Sequence, residues 1–182
     1  TYTNIMIATH ADAVIADAYM KGIRNFDVDL AYEAIRKDAM IPPDCDTNRK
    51  YGDRDYWTSY EGRAGASYYH SIGYVPDDKT AESVSRTLEY AYDDWCVAQL
   101  AKKLGKNNDH ERFMKRSAFY RNLFNPETGF FQSKNDKGEW IEPFDPYKYG
   151  ANGGYPFTEG NAWQYFWYVP QNIPDLITLT GG

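Results

Sequence analysis

Apolar residues recur at intervals of three and four through most of the chain, a period that predicts a mainly α protein. Over residues 5–20, Ile7, Ala11, Val14, Ile15, Ala18 and Tyr19 fall on one helical face, and Gly22 is placed to stop the helix. A second helix is predicted over 27–40, with Leu30, Ala31, Ala34 and Ile35 inward and Pro42-Pro43 ending it, so that the two form a hairpin. The strongest period runs over 80–104 through Val84, Leu88, Ala91, Trp95 and Ala98. Thr80 is its expected N-cap and Gly105 its stop, with Glu82 and Arg86 paired on the outer side. A further helix, capped by Asn107 or Asn108, is expected to reach Leu123. It turns Phe113, Ala118 and Phe119 inward and Arg112, Lys115 and Arg116 outward, before Asn125-Pro126 breaks it.

Two stretches lose the period. Residues 42–79 gather Pro, Gly, Asp and Tyr, which suits a loop that builds or covers a binding rim. Within it Asp44, Asp46, Asn48 and Asp55 match ligand positions of a calcium-loop template, but Arg49 stands where the sharp turn needs Gly. The last position holds Asp in place of the bidentate Glu, so a solvated polar loop is the reading. Residues 129–140 predict a hairpin, with Phe130-Phe131-Gln132-Ser133 and Glu139-Trp140-Ile141 flanking a turn at Asn135 to Gly138. A Pro-, Tyr- and Gly-rich loop over 144–155 follows it.

Composition narrows the function classes. The net charge of −6 and the lack of a basic stripe argue against a nucleic-acid partner. No apolar run spans a membrane, and no signal-peptide pattern stands at Thr1. Hydrophobic residues make up 42% of the chain, enough for a core, and 17 Tyr with 5 Trp form an aromatic excess that suits both core packing and flat sugar faces. Of the two cysteines, Cys45 lies in a loop and Cys96 reads as a buried small hydrophobe.

The segment TEGNAWQYFWY, residues 158–168, concentrates the candidate chemistry. Glu159 stands among indole, phenol and amide groups ahead of a short helix, and desolvation by those rings would let it hold a proton as a general acid. The alternative makes Trp163, Phe166 and Trp167 an apolar stripe and Glu159 an ordinary first-turn acid favoured by the helix dipole. Asn161, Trp163 and Gln164 are candidate sugar contacts or supports for Glu159; equally, Asn161 is a cap and Trp163 a core anchor. His10 is a further candidate substrate contact, or a satisfied core histidine. Asp93 and Asp94 diverge by about 100° on their helix and cannot share a site, so one is expected in a groove and the other in a surface ion pair.

TEGNAWQYFWYVP, together with SVSRTLEYAYDDWCVAQLAKKLGK from Ser83, HADAVIADAYMKGI from His10 and YRNLFNPETGFFQSKNDKGEW from Tyr120, resembles glycoside hydrolase family 92 in order along nearly the whole chain. These are calcium-dependent, exo-acting α-mannosidases that invert the anomeric centre. The resemblance implies an (α/α)6 barrel with a small β-hairpin excursion, mannose-containing glycans as substrate, a secreted or periplasmic location, and Glu159 as the catalytic acid. An (α/α)6 barrel needs roughly 300 residues, so the 182 here are expected to form a partial helical-barrel catalytic domain that depends on the remainder of that domain.

The family's upstream tryptophan-aspartate-threonine element and its downstream glycine-asparagine-aspartate-aspartate element, which carries the base, have no match here. An inverting glycosidase needs that second carboxylate about 6.5 to 9.5 Å from the acid, so the isolated polypeptide is expected to be inactive. Calcium is implied with ligands outside this span, and no metal ligand is assigned within it. Gln171-Asn172 replaces the histidine and aspartate usual after the VP dipeptide, which bears on linkage preference. The alternative function is a non-catalytic helical carbohydrate-binding or scaffold domain.

Overall fold

The computed structural model describes residues 7–43, 46, 62–150 and 155–182. In chain order these form α1 (Ala11–Met20), α2 (Val28–Met40), α3 (Ala66–Ile72), α4 (Ser83–Lys103), α5 (Asn107–Arg116), a 3-10 turn (Phe119–Leu123), β1 (Phe124–Asn125), β2 (Phe130–Phe131), α6 (Ala162–Tyr165) and α7 (Ile173–Leu179). The mainly α class with a small hairpin is as expected. No helix among the described residues is long and apolar enough to cross a membrane.

Helix α4 is the axis. Its C-terminal half packs Val97, Leu100 and Ala101 against Ala16 of α1, Ile35 of α2 and Phe113 of α5. Its N-terminal half packs Val84 and Leu88 against Tyr120, Leu123, Phe131, Phe157 and Val169. Being covered on nearly every side, α4 has no outer face for Glu82 and Arg86; the expected pair forms at 3.2 Å, but inside the protein. Its C-terminus closes as predicted: Gly105 takes φ 73°, its N–H donates to the Lys102 carbonyl, and Lys106 N donates to the Ala101 carbonyl at 2.9 Å. That is the Schellman arrangement, which satisfies carbonyls left over at a helix end.

The helices before α4 are turned relative to their predicted faces. Helix α1 begins at Ala11 and buries Asp12 and Ala16, while Val14 is 68% exposed. Helix α2 is capped by the Asp27 carboxylate, which accepts from Leu30 N at 3.0 Å. It buries Tyr32, Ile35 and Ala39, leaving Leu30 63% exposed. Its rotation follows from Asp109 at the start of α5, which accepts from the Tyr32 hydroxyl at 2.9 Å and from Arg36 Nε at 2.7 Å. The helix expected to run on to Leu123 ends at Arg116, and the chain tightens into the 3-10 turn with Ala118 exposed.

The ladder pairs Phe124 with Phe131 and Asn125 with Phe130. The predicted hairpin survives beside it as a bridge between Lys134 and Trp140 around the turn at Asn135. Both arrangements put the Phe131 ring into the core against Phe124 and Tyr120.

Leu88 is fully buried where the later chain meets α4. Leu88→Ala should lower stability by about 2–5 kcal/mol in urea denaturation.

Candidate functional site

A polar stripe runs up α4 through Ser85, Glu89 and Asp93, spaced four residues apart so that the side chains stack on one face. Each grips a different segment. Ser85 Oγ accepts from Thr158 N at 2.9 Å. Glu89 accepts from the Tyr168 hydroxyl at 2.8 Å, from the Tyr165 hydroxyl at 3.4 Å and from His10 Nε2 at 2.8 Å. Asp93 accepts from Thr9 N at 3.0 Å and lies 3.3 Å from His10 Nδ1.

His10 therefore has both ring nitrogens engaged by carboxylates, although its side chain is 38% exposed. As a substrate contact it offers only its ring face and edge carbons. Hydrogen bonding to Asp93 and then to Glu89 raises its pKa to about 10, against the smaller opposing effect of burial, so it is an imidazolium at neutral pH. Burial pushes the Tyr165 and Tyr168 phenols up as well, and the Glu89 carboxylate adds to it.

Behind the stripe lies a buried ion cluster. Asp94 is fully buried and receives Arg63 Nη1 at 2.6 Å and a two-pronged contact from Arg116 at 2.5 and 2.7 Å. Burial alone would raise this carboxyl; Arg116 and Arg63 outweigh it and hold Asp94 below the ordinary carboxylate range. Arg63 also donates to Asp12 at 2.9 Å and to the Thr9 hydroxyl at 3.0 Å. The other Asp12 oxygen has no hydrogen-bond partner among the described residues, and burial pushes that carboxyl up, toward its neutral form.

The expected divergence of Asp93 and Asp94 holds, but neither makes a surface ion pair: both are fully buried. Arg116, expected outward, faces inward because Asp94 and the Ala39 carbonyl receive its guanidinium. Arg63, Arg116, Glu89 and Ser85 were missed as site residues. The four-residue spacing of Ser85, Glu89 and Asp93 was a readable signal; the arginines carry none, since their partner is distant in sequence.

The Glu159 turn is held by main chain. The Pro156 carbonyl accepts from Val84 N at 3.0 Å and Ser85 N at 3.2 Å, and the Tyr155 carbonyl accepts from Glu82 N at 2.9 Å. These carbonyls satisfy orphan donors at the start of α4, the task expected of Thr80, whose hydroxyl has no hydrogen-bond partner among the described residues. Gly150 N donates to the Gly160 carbonyl at 2.8 Å, closing the loop. A Cβ at Gly150 would lie 1.9 Å from the Phe157 carbonyl oxygen, so only glycine permits this closure. Glu159 takes φ 47°, and the other described non-glycine residues at positive φ, Ala8 and Glu82, adjoin the same stripe. Such conformations cost of order 1–3 kcal/mol each.

The ring-lined desolvation expected for Glu159 is not present: the residue is exposed. The reason is local. The capping box begins at Asn161, two residues beyond the acid, with Asn161 Oδ1 accepting from Gln164 N and Gln164 Oε1 from Asn161 N, so α6 starts only at Ala162. Asn161 and Gln164 are thus a mutual cap, with these oxygens engaged by each other's main chain. Trp163 is 45% exposed, with its ring 4.7 Å from Phe130 and turned to the hairpin.

Cys96 is a buried free thiol, as expected, and Cys45 lies outside the described residues. Among the described residues no three His, Cys, Asp or Glu side chains converge as cation ligands. Asp46 caps α3 through Gly65 N and Ser67 N, each at 2.7 Å, while Asp44, Asn48 and Asp55 lie outside the described residues. Since Asp94 is paired with guanidinium groups and Asp46 accepts from main-chain N–H, neither carboxylate is open to a calcium ion.

The turn that carries Glu159 is thus mounted on a helical scaffold beside an aromatic and ionic seam. The chain belongs to glycosyl hydrolase family 92, whose catalytic-domain description matches residues 1–182. It is similar to an inverting family 92 mannosidase from Bacteroides thetaiotaomicron, at 36% identity and a TM-score of 0.83 over 97% of this chain and 22% of that one. It is also similar to a family 92 α-mannosidase from the same organism solved in complex with mannoimidazole, at 41% identity and a TM-score of 0.82 over 97% of this chain and 21% of that one. An uncharacterized secreted glycosidase from Arthroderma benhamiae is 37% identical over 96% of this chain and 24% of its own length. The chain thus spans less than a quarter of the length of these relatives. The likeness assigns the helices to part of the family's (α/α)6 barrel.

Two measurements test this electrostatic reading. Arg116→Ala leaves the Asp94 charge short of one partner in a buried site and should cost about 3–5 kcal/mol in urea denaturation, far more than Lys21→Ala at the exposed Asp17 pair. In a histidine NMR titration, His10 should stay protonated until about pH 10, while His70, held down by burial and then by Arg116, should stay neutral to about pH 4. The signs are opposite. The His10 contribution to stability is complete below about pH 6.5 and fades as pH rises through 10; the His70 contribution is complete above about pH 6.5 and fades as pH falls through 4.

Proposed function

We propose that this chain is the general-acid segment of an inverting, exo-acting α-mannosidase. Glu159 protonates the departing glycosidic oxygen, while a second carboxylate outside these residues activates water on the opposite sugar face. One observation carries the assignment: the main chain around Glu159 is fixed to α4 from several sides, yet its carboxylate makes no hydrogen bond or ion pair among the described residues. A proton donor needs a rigid mount and an uncommitted acid group. Asp93, Asp94 and Glu89 have the mount, but their oxygens are committed to protein partners.

In this reading the bound mannoside, and chain beyond these residues, supply the desolvation that the Glu159 turn lacks. The substrates are mannose-containing glycans, in keeping with the mannosidases this chain is similar to. A secreted location accords with the secreted glycosidase among its relatives. The calcium requirement implied by the family resemblance belongs to the whole enzyme, with ligands outside the described residues, and no step here passes through it.

The test uses the complete protein that contains this segment. Glu159→Gln should lower kcat on an alkyl or disaccharide mannoside by about 10²–10⁴-fold and should spare a dinitrophenyl mannoside, whose leaving group departs without a proton. Equal losses on both substrates would remove Glu159 from the acid role. Mannoside binding by the unaltered protein with no hydrolysis at all would favour the non-catalytic carbohydrate-binding reading.

A further inference from the structure

We propose that Glu89 is a positioning residue for the acid-bearing turn, holding the chain on both sides of the site in register with α4. The inference rests on Glu159 being the proton donor and adds a residue that the acid role alone does not require.

One carboxylate gathers the hydroxyls of Tyr165 and Tyr168 from the segment that follows Glu159, and Nε2 of His10 from the opposite side. The Glu89 side chain is only 10% exposed, and these donors satisfy its buried oxygens. One turn toward the N-terminus, Ser85 Oγ takes the N–H of Thr158 immediately before the acid. The stretch from Thr158 to Tyr168 is therefore tied to one helical stripe at both ends, with Glu159 and Asn161 between the ties. Tyr165 packs against Phe157, so a shift of either tyrosine presses on the loop before the acid.

The tie at Tyr168 is soft without Glu89. Helix α6 is one turn long, and nothing in its capping box reaches α4. Ser85 also meets the Tyr165 hydroxyl, whereas Tyr168 has Glu89 as its hydrogen-bond partner and is only partly buried, so packing leaves it room to move. His10 completes the arrangement from α1, where Asp93 fixes its other nitrogen and so limits the rotation of the ring against Glu89.

The experiment again uses the complete protein, with initial rates on an alkyl mannoside and a dinitrophenyl mannoside. Glu89→Gln keeps the shape but weakens the acceptor, and should lower kcat on the alkyl substrate by about 10- to 10²-fold with KM little changed. The loss should shrink on the dinitrophenyl substrate, because misplacing an acid matters only where a proton is needed. Tyr168→Phe should give part of the same selective loss, and the double variant should lose no more than Glu89→Gln alone. If Glu89→Gln does not fold, Tyr168→Phe carries the test.

Equal losses on both substrates, a change in KM alone, or no loss in either variant would overturn the inference. Glu159→Gln, measured in parallel, separates the two ideas. A selective loss there without one at Glu89 sinks only the positioning role. No selective loss at Glu159 sinks the acid assignment.

Discussion

Asp94, fully buried and clasped by Arg63 and Arg116, sets the rotation of α4 about its own axis. A pair buried this deeply adds little net stability over apolar residues of equal size, because desolvating the ions offsets most of their attraction. What it does strongly is penalise every alternative, since turning α4 would leave a charge buried without its partner. Adjacent helical residues diverge by about 100°, so aiming Asp94 at the guanidinium groups aims Asp93 at Thr9 and His10. Glu89 and Ser85 then follow on the same stripe as Asp93. The proposed site is in this sense a by-product of one rotational lock.

The lock also links distant pieces of chain. Arg63 lies just before α3, Arg116 ends α5, and Tyr69 of α3 places its hydroxyl 3.2 Å from Asp94.

Much of the helical framework was legible in the sequence, because Val84, Leu88 and Ala91, and Gly105 after them, carry signals that depend only on near neighbours. Faces were read less well than elements. Periodicity put Val14 and Leu30 inward, but Asp12 answers Arg63 and Tyr32 answers Asp109, and those distant partners turned both helices. Arg116 and the Glu82–Arg86 pair went astray for the same reason: charge reads as surface until a buried counter-charge is known. At the candidate site, Glu159 and its motif stood out, whereas its exposure did not. Asn161 is where the capping box starts, two residues too late for the α6 rings to enclose the carboxyl. Part of the irregular stretch, including Asp44, Asn48 and Asp55, lies outside the described residues.

The start of α4 is closed by the peptide oxygens of Tyr155 and Pro156. An oxygen of this kind is present in every amino acid, so the clasp does not depend on which side chains the preceding loop displays. Mutation can relabel much of that rim and alter what it meets in the surrounding medium, while the path delivering the carboxylic acid stays the same. Gly150 is the exception, since any larger residue there would collide with the backbone.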